Sequence, residues 1–230
     1  MAHELRCSSV IFMFKCINDS GFDVHPTQSV QYLGVMLDQT LSFDNQVTNI
    51  LKSSFAFLRS LYRLRNYLSK NCLLSAVNTF VFSRIDYCNS LLSFCSNKTI
   101  KRLQRVQNCL ARVVKCLPRR APTSASIRSL SWLRIQERIT FKICCFVHKC
   151  IYGSPPVNIK NLVSFPHAGA SNYSLRSESS PFLYVPVTRV ANSRRAFYFK
   201  APKLWNSLPL FIRQEPRYNV FKRRLKAYWL

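Results

Sequence analysis

From Asp44 to Tyr152 the apolar residues return every three or four positions, run after run, and that period dictates a stack of amphipathic helices. In the first run Asp44 is the expected N-cap, and Val47, Ile50, Leu51, Leu58, Leu61 and Tyr62 make the apolar stripe. Lys52, Arg59 and Arg63 fall together on another face. The second run starts near Ser69 and carries Leu73, Val77, Phe80, Val81, Cys88, Leu91 and Leu92 along one side. The third starts near Thr99, with Leu103, Val106, Leu110, Val113, Val114 and Leu117 inward and Lys101, Arg105 and Arg112 to one side. Pro118 should end it, leaving Arg119 and Arg120 in a basic loop. The fourth spans about Ser131 to Tyr152, with Ile135, Ile139, Ile143, Phe146, Val147 and Cys150 buried, and stops at Gly153 before Pro155 and Pro156.

The flanks read differently. Val10–Phe14 is a candidate strand, and residues 19–26 form a turn-rich loop. Tyr32–Leu37 reads as a short buried strand between turn residues. Residues 164–196 are loop-rich, with one possible edge strand at Phe182–Val187 because Pro186 cannot donate to a ladder. Ala201–Asn206 suggests a short helix with Pro202 in its first turn, and Asn219–Trp229 a last helix with Phe221, Leu225 and Tyr228 inward. The expected fold is therefore mainly α: a helical bundle with a small β segment near the N-terminus and a loop-rich C-terminal region. It divides into a strand segment (1–43), a helical region (44–163) and a tail (164–230).

Charge bounds the partner. The 230 residues hold 34 Lys and Arg against 9 Asp and Glu, a formal net charge of +25. Such self-repulsion does nothing for folding, and a polyanion would offset it. Nucleic acid is the first expectation, ahead of an anionic membrane surface or a basic piece cut from a less basic parent. The candidate contacts are Lys52, Arg59, Arg63, Lys101, Arg105, Arg112, Arg119, Arg120, Arg194 and Arg195. Cations borne on helices can track a phosphate backbone, whereas no compact motif for reading base sequence is present.

Catalysis is not expected from this chain. Two-metal phosphoryl transfer needs clustered carboxylates, and the closest acidic pair, Asp19 and Asp23, lies in the least patterned segment. Asp86, beside Arg84, suits an ion pair or a buried polar contact. Cys144, Cys145, His148 and Cys150 are close in sequence but fan around a helix, and no Cys-x-x-Cys occurs, so zinc is not expected. Cys88/Cys95 and Cys109/Cys116, each seven apart, fit core stripes of thiols. No nucleophile elbow and no glycine-rich phosphate loop is present. No cofactor, metal, membrane span or secretory signal is read, so an intracellular reducing compartment is expected, nuclear or cytoplasmic.

Four stretches together resemble the C-terminal part of non-LTR (LINE-type, jockey-like) retrotransposon reverse transcriptases. They are Tyr32-Leu-Gly-Val-Met-Leu-Asp38 with Leu41-Ser-Phe43; Phe82-Ser-Arg-Ile-Asp-Tyr-Cys-Asn-Ser-Leu-Leu92 with Leu103-Gln-Arg-Val-Gln-Asn108; Leu130-Ser-Trp-Leu-Arg-Ile-Gln-Glu-Arg-Ile139 leading into Lys142-Ile143; and Arg195-Ala-Phe197 with Ala201-Pro-Lys-Leu-Trp-Asn-Ser-Leu-Pro209. They follow the family's order over about residues 24–228. Residues 1–23 do not match, and Ser193 stands where the family often has Gly.

The resemblance implies a last palm strand, a helical thumb and a tail. The family's Tyr/Phe-Ala-Asp-Asp motif and endonuclease lie upstream of this region, and neither occurs here, so no catalytic residue carries over. It implies sequence-independent gripping of a template–primer duplex or RNA, with the upstream palm as a possible partner. Two other readings stay open: a host-adopted module that docks a protein through the apolar tail around Trp205 and Trp229, or a translated relic without function.

Overall fold

The computed structural model describes residues 28–153, 159, 162–163, 182–188, 194 and 196–230. The expected strand at Val10–Phe14 and the loop at 19–26 lie outside them. The protein is mainly helical, with one small antiparallel sheet among the described residues, near the N-terminus.

That sheet corrects the expected strand. Tyr32–Leu37 is not one buried strand but the bend of a hairpin: β1 (Ser29–Tyr32) pairs with β2 (Val35–Asp38) in the register Tyr32↔Val35. Leu33 and Gly34 both take positive φ, 46° and 77°, the pattern of a type I′ turn. Leu33 is 74% exposed and Tyr32 56%; Val35 is buried in the core and Leu37 packs against it half-buried.

α1 (Asp44–Leu64) starts one residue earlier than a cap at Asp44 requires. Phe43 holds the cap position at φ 57° and supplies no side-chain bond. Asp38, at the end of β2, shapes this entry instead. Its carboxylate accepts the N–H groups of Thr40 (3.1 Å), Ser42 (2.8 Å) and Phe43 (2.8 Å), and the hydroxyls of Thr40 and Ser42. Burial pushes this carboxyl up, but the bonds from Ser42, Thr40 and Phe43 outweigh it and hold it below the ordinary aspartate range. Val47, Ile50, Leu51 and Leu61 are buried, whereas Tyr62 is 55% exposed, with the Arg65 guanidinium over its ring.

The expected continuous second helix is broken. α2 (Lys70–Val77) is capped by Ser69, whose hydroxyl accepts the Cys72 N–H. A π turn follows over Asn78–Phe82, then α3 (Ser83–Asp86). The wider turn brings Val77, Val81, Phe82 and Ile85 into the core and leaves Phe80 49% exposed. Cys88, at φ 49°, reverses the chain into a 3₁₀ segment (Asn89–Phe94), so it is exposed and not part of a buried stripe.

α4 (Asn97–Val114) has Ser96 as its cap, two residues ahead of the expected start. Leu103, Val106, Leu110, Val113 and Val114 are buried as its period requires, and Leu117 is only half-buried. The helix ends before Pro118, with Cys116 at φ 53° and the Leu117 N–H returning to the Arg112 carbonyl at 2.8 Å. That is a Schellman ending with Cys where Gly is usual, and it places Cys116 in solvent. Cys95 and Cys109 are half-buried, so the two seven-residue pairs are not core stripes.

A short α5 (Ser124–Ser129), absent from the sequence reading, precedes α6 (Ile135–Tyr152). The Ser131 backbone, at φ 53°, belongs to the turn between them, so α6 starts four residues after the expected Ser131. The Glu137 carboxylate accepts the Arg134 N–H at 2.7 Å and closes its first turn. Ile135, Ile139, Ile143 and Val147 are buried; Phe146 and Cys150 are half-buried, and Cys144, Cys145 and His148 lie deeper.

Glutamines fasten α6 to α4. Gln107, fully buried, donates to the Leu133 carbonyl at 2.8 Å. Gln104 accepts the Ile135 N–H at 3.0 Å and donates to the Gln107 and Asn108 side chains. On the other side, Arg138 forks onto the Asp86 carboxylate, with one bond at 2.9 Å, and stacks over Phe82. Phe82 meets Trp132 edge-on at 4.8 Å.

The C-terminal residues pack on α6. α7 (Phe197–Asn206) begins ahead of the expected 201, so Pro202 sits inside the helix, not in its first turn. Its missing N–H removes one rung there. No strand forms at Phe182–Val187; the Asn206 amide accepts the Leu183 N–H (2.9 Å) and donates to its carbonyl (2.8 Å), taking a strand partner's place. α8 (Leu210–Arg213), a turn of helix missed in the sequence, leads to α9 (Tyr218–Trp229). Phe221 and Leu225 point inward, but Tyr228 is 50% exposed. One continuous apolar cluster runs from Val35 to Leu225, so the three segments read from the sequence share a core.

His148 sits where α6, α7 and α9 meet, among Tyr152, Trp205, Tyr218 and Phe221, and bonds the Glu215 carbonyl at 2.8 Å. Burial lowers its pKa, and the Glu215 carbonyl and carboxylate only partly oppose that. A depressed pKa gives stability that is complete above the unfolded value of about 6.5 and is lost as pH falls through the folded value. The melting temperature should therefore drop on acidification below about pH 6.5, and His148→Gln should flatten that part of the profile. An unchanged profile in the variant would assign the acid step elsewhere.

Candidate nucleic-acid interface

α1 and α4 lie side by side and run the same way, joined at their first turns. The Asp44 carboxylate accepts the Thr99 hydroxyl at 2.7 Å, where one anion faces the positive ends of both helices. One turn on, Arg102 donates to the Thr48 hydroxyl at 3.2 Å. Beyond these contacts the helices leave an open groove of about 490 Å³, lined by Thr48, Leu51, Lys52, Phe55, Arg59, Arg102 and Arg105.

This groove gathers three of the residues picked from the sequence. Lys52 and Arg59 come from α1, seven residues apart on one face, and Arg105 comes from α4. None of the three pairs with a carboxylate among the described residues. Arg102 is a fourth cation that sequence reasoning missed. Its spacing of three from Arg105 was the available signal, because i and i+3 share a helix face.

The other candidates lie apart from it. Arg63 is exposed at the end of α1, and Lys101 is exposed on α4 outside the groove lining. Arg112 is half-buried and donates to the Ala121 carbonyl at 3.0 Å, holding the loop after α4. Arg119 and Arg120 are exposed in that loop, and Arg194 is exposed. Arg195 lies outside the described residues.

Elsewhere, much of the basic excess serves the fold. Lys200 donates to the Ser93 carbonyl at 2.8 Å. Arg213 is buried, donates to the Leu208 carbonyl and stacks over Phe182. Arg217 and Arg224 both pair with the buried Glu215 carboxylate at 3.0 Å. No such internal task engages Lys52, Arg59 or Arg105, and the groove brings these three together.

Asp86 is engaged by Arg138 and by the Asn89 amide at 3.2 Å, so its carboxylate organises a helix junction. Among the described residues no three His, Cys, Asp or Glu side chains come together as a metal site would require. Burial pushes the Cys144 and Cys145 thiols up, the direction of an inert core thiol. No helix among the described residues is long and apolar enough to cross a membrane. No family model, curated protein or solved structure matches the chain.

Proposed function

We propose that the chain is a thumb-like, retrotransposon reverse-transcriptase-derived protein that binds nucleic-acid backbone without synthesising it. The observation that carries the binding is the convergence of Lys52, Arg59, Arg102 and Arg105 on one groove whose lining holds no carboxylate. In a chain of net charge +25, that is where a polyanion is drawn and held. Arginine forks suit phosphate oxygens, and two rigid helices fix their spacing.

The retroelement part of the proposal rests on the four sequence stretches. The hairpin is compatible with it: two isolated strands are marginal alone, and Val30, Tyr32 and Leu33 are exposed where the resemblance calls for an adjoining palm. Docking of a protein through Trp205 has less support, because Trp205 is fully buried in the chain's own core and Trp229 packs against it.

The test is a salt titration of binding to a labelled oligonucleotide. Log affinity should fall linearly with log salt, each phosphate contact contributing about −0.7 to −0.9 to the slope. Lys52→Gln, Arg59→Gln and Arg105→Gln combined should flatten that slope by about 2–3 while the melting temperature holds. Equal slopes for the wild type and the triple variant would remove the groove from the interface. Templated extension of a primer by the purified chain would contradict the non-catalytic reading.

A further inference from the structure

We propose that this groove is a site for single-stranded nucleic acid, in which an unpaired base stacks on Phe55 while the flanking cations hold its phosphates. The proposal rests on the groove reading and adds the class of ligand.

Phe55 lies on α1 between Lys52 and Arg59, three residues after one and four before the other, so all three share a face. Lys52 and Arg59 are thus separated by about 10 Å along the helix axis, with the ring between them. Arg102 and Arg105 close the groove from α4. Phe55 as a whole is 38% exposed and lines the groove. It differs from its neighbours: Phe57 stacks on Phe80 at 4.9 Å, and Tyr62 carries Arg65. Among the described residues Phe55 has no aromatic or cationic partner over its face.

An exposed phenyl ring among cations gains nothing from water and adds nothing to phosphate binding. It gains from a flat, apolar π-surface brought in by an anionic chain. A duplex hides its base faces within the stack and offers backbone and groove edges, which the ring cannot use. An unpaired strand offers both base face and phosphate, and a basic groove with an aromatic platform is how such strands are held without sequence readout. An acidic peptide would match the charge but supplies no such face at regular intervals.

Fluorescence anisotropy on the whole chain separates the outcomes, using labelled oligothymidylate, oligouridylate, a hairpin duplex and an abasic strand at one salt concentration. Phe55→Ala should weaken oligothymidylate or oligouridylate binding by about five- to 150-fold. Duplex and abasic-strand binding should not change, and Phe55→Trp should retain or tighten the single-strand affinity. The thymidylate and uridylate arms show whether DNA or RNA is preferred. Equal loss on all four ligands, no loss on any, or displacement of the strand by a Glu-rich peptide at equal affinity would overturn the stacking site. Failure of the wild type to bind any of the four would overturn the groove reading itself.

Discussion

Trp205→Ala should cost about 3–5 kcal/mol of unfolding free energy, the range for deleting a fully buried large aromatic. Trp205 has no exposed surface and lies on α7 facing Phe221 of α9 and His148 of α6, with ring centroids at 5.7 and 6.5 Å. Removing it opens a void that three helices line at once, and none can fill it without dragging the others. Near-neighbour packing also holds Asn206, whose amide pins the Leu183 backbone, so the 182–188 segment should loosen with it. Urea unfolding gives the number. A loss below about 1 kcal/mol would mean that the C-terminal helices are not docked on α6 as described.

Gln107→Leu should be the next most damaging, at about 1–3 kcal/mol, despite similar size and greater hydrophobicity. Gln107 is fully buried and its amide satisfies the Leu133 carbonyl just before α6 begins. An apolar replacement leaves that carbonyl buried without a donor. It also removes one of the two acceptors of the Gln104 amide, whose own oxygen holds the Ile135 N–H. Hydrogen exchange at Ile135 should speed up with the loss of stability. Wild-type protection at Ile135 in the variant would show that the two glutamines act independently.

Both residues belong to stretches singled out in the sequence, and so do Asp38, Asp86 and Arg138. In the structure each makes a joint of the fold: Asp38 shapes the entry to α1, Asp86 and Arg138 tie α3 to α6, and Asn206 replaces a strand partner. The helices themselves were legible because α1, α4 and α6 each bury one face at the helical period. What the period cannot reveal is chemistry between elements. Asp38 acts four and five residues downstream on backbone N–H groups, so Asp44 looked like the cap. Leu33 at positive φ disguised a hairpin as a strand. The second helix hid its π turn because its buried residues stay in phase only after the ladder widens.

The interface was legible by halves for the same reason. Lys52 with Arg59, and Arg105 on another helix, could be read from facing positions within each helix. That they face one another depends on the parallel packing set by Asp44 and Thr99, a contact across 55 residues. Arg102 enters the groove only through that packing, whereas Arg112 is drawn off to the Ala121 carbonyl.

The most direct measurement is photo-cross-linking of the whole chain to a single-stranded oligonucleotide carrying a thiolated base, with cross-linked peptides mapped by mass spectrometry. Adducts should concentrate on α1 around Phe55 and on α4 around Arg102 and Arg105, and should fade in the Lys52, Arg59, Arg105 triple variant. Adducts confined to the Arg119–Arg120 loop or to the exposed Arg223 and Lys226 of α9, unchanged in that variant, would contradict the assignment of the groove as the nucleic-acid interface.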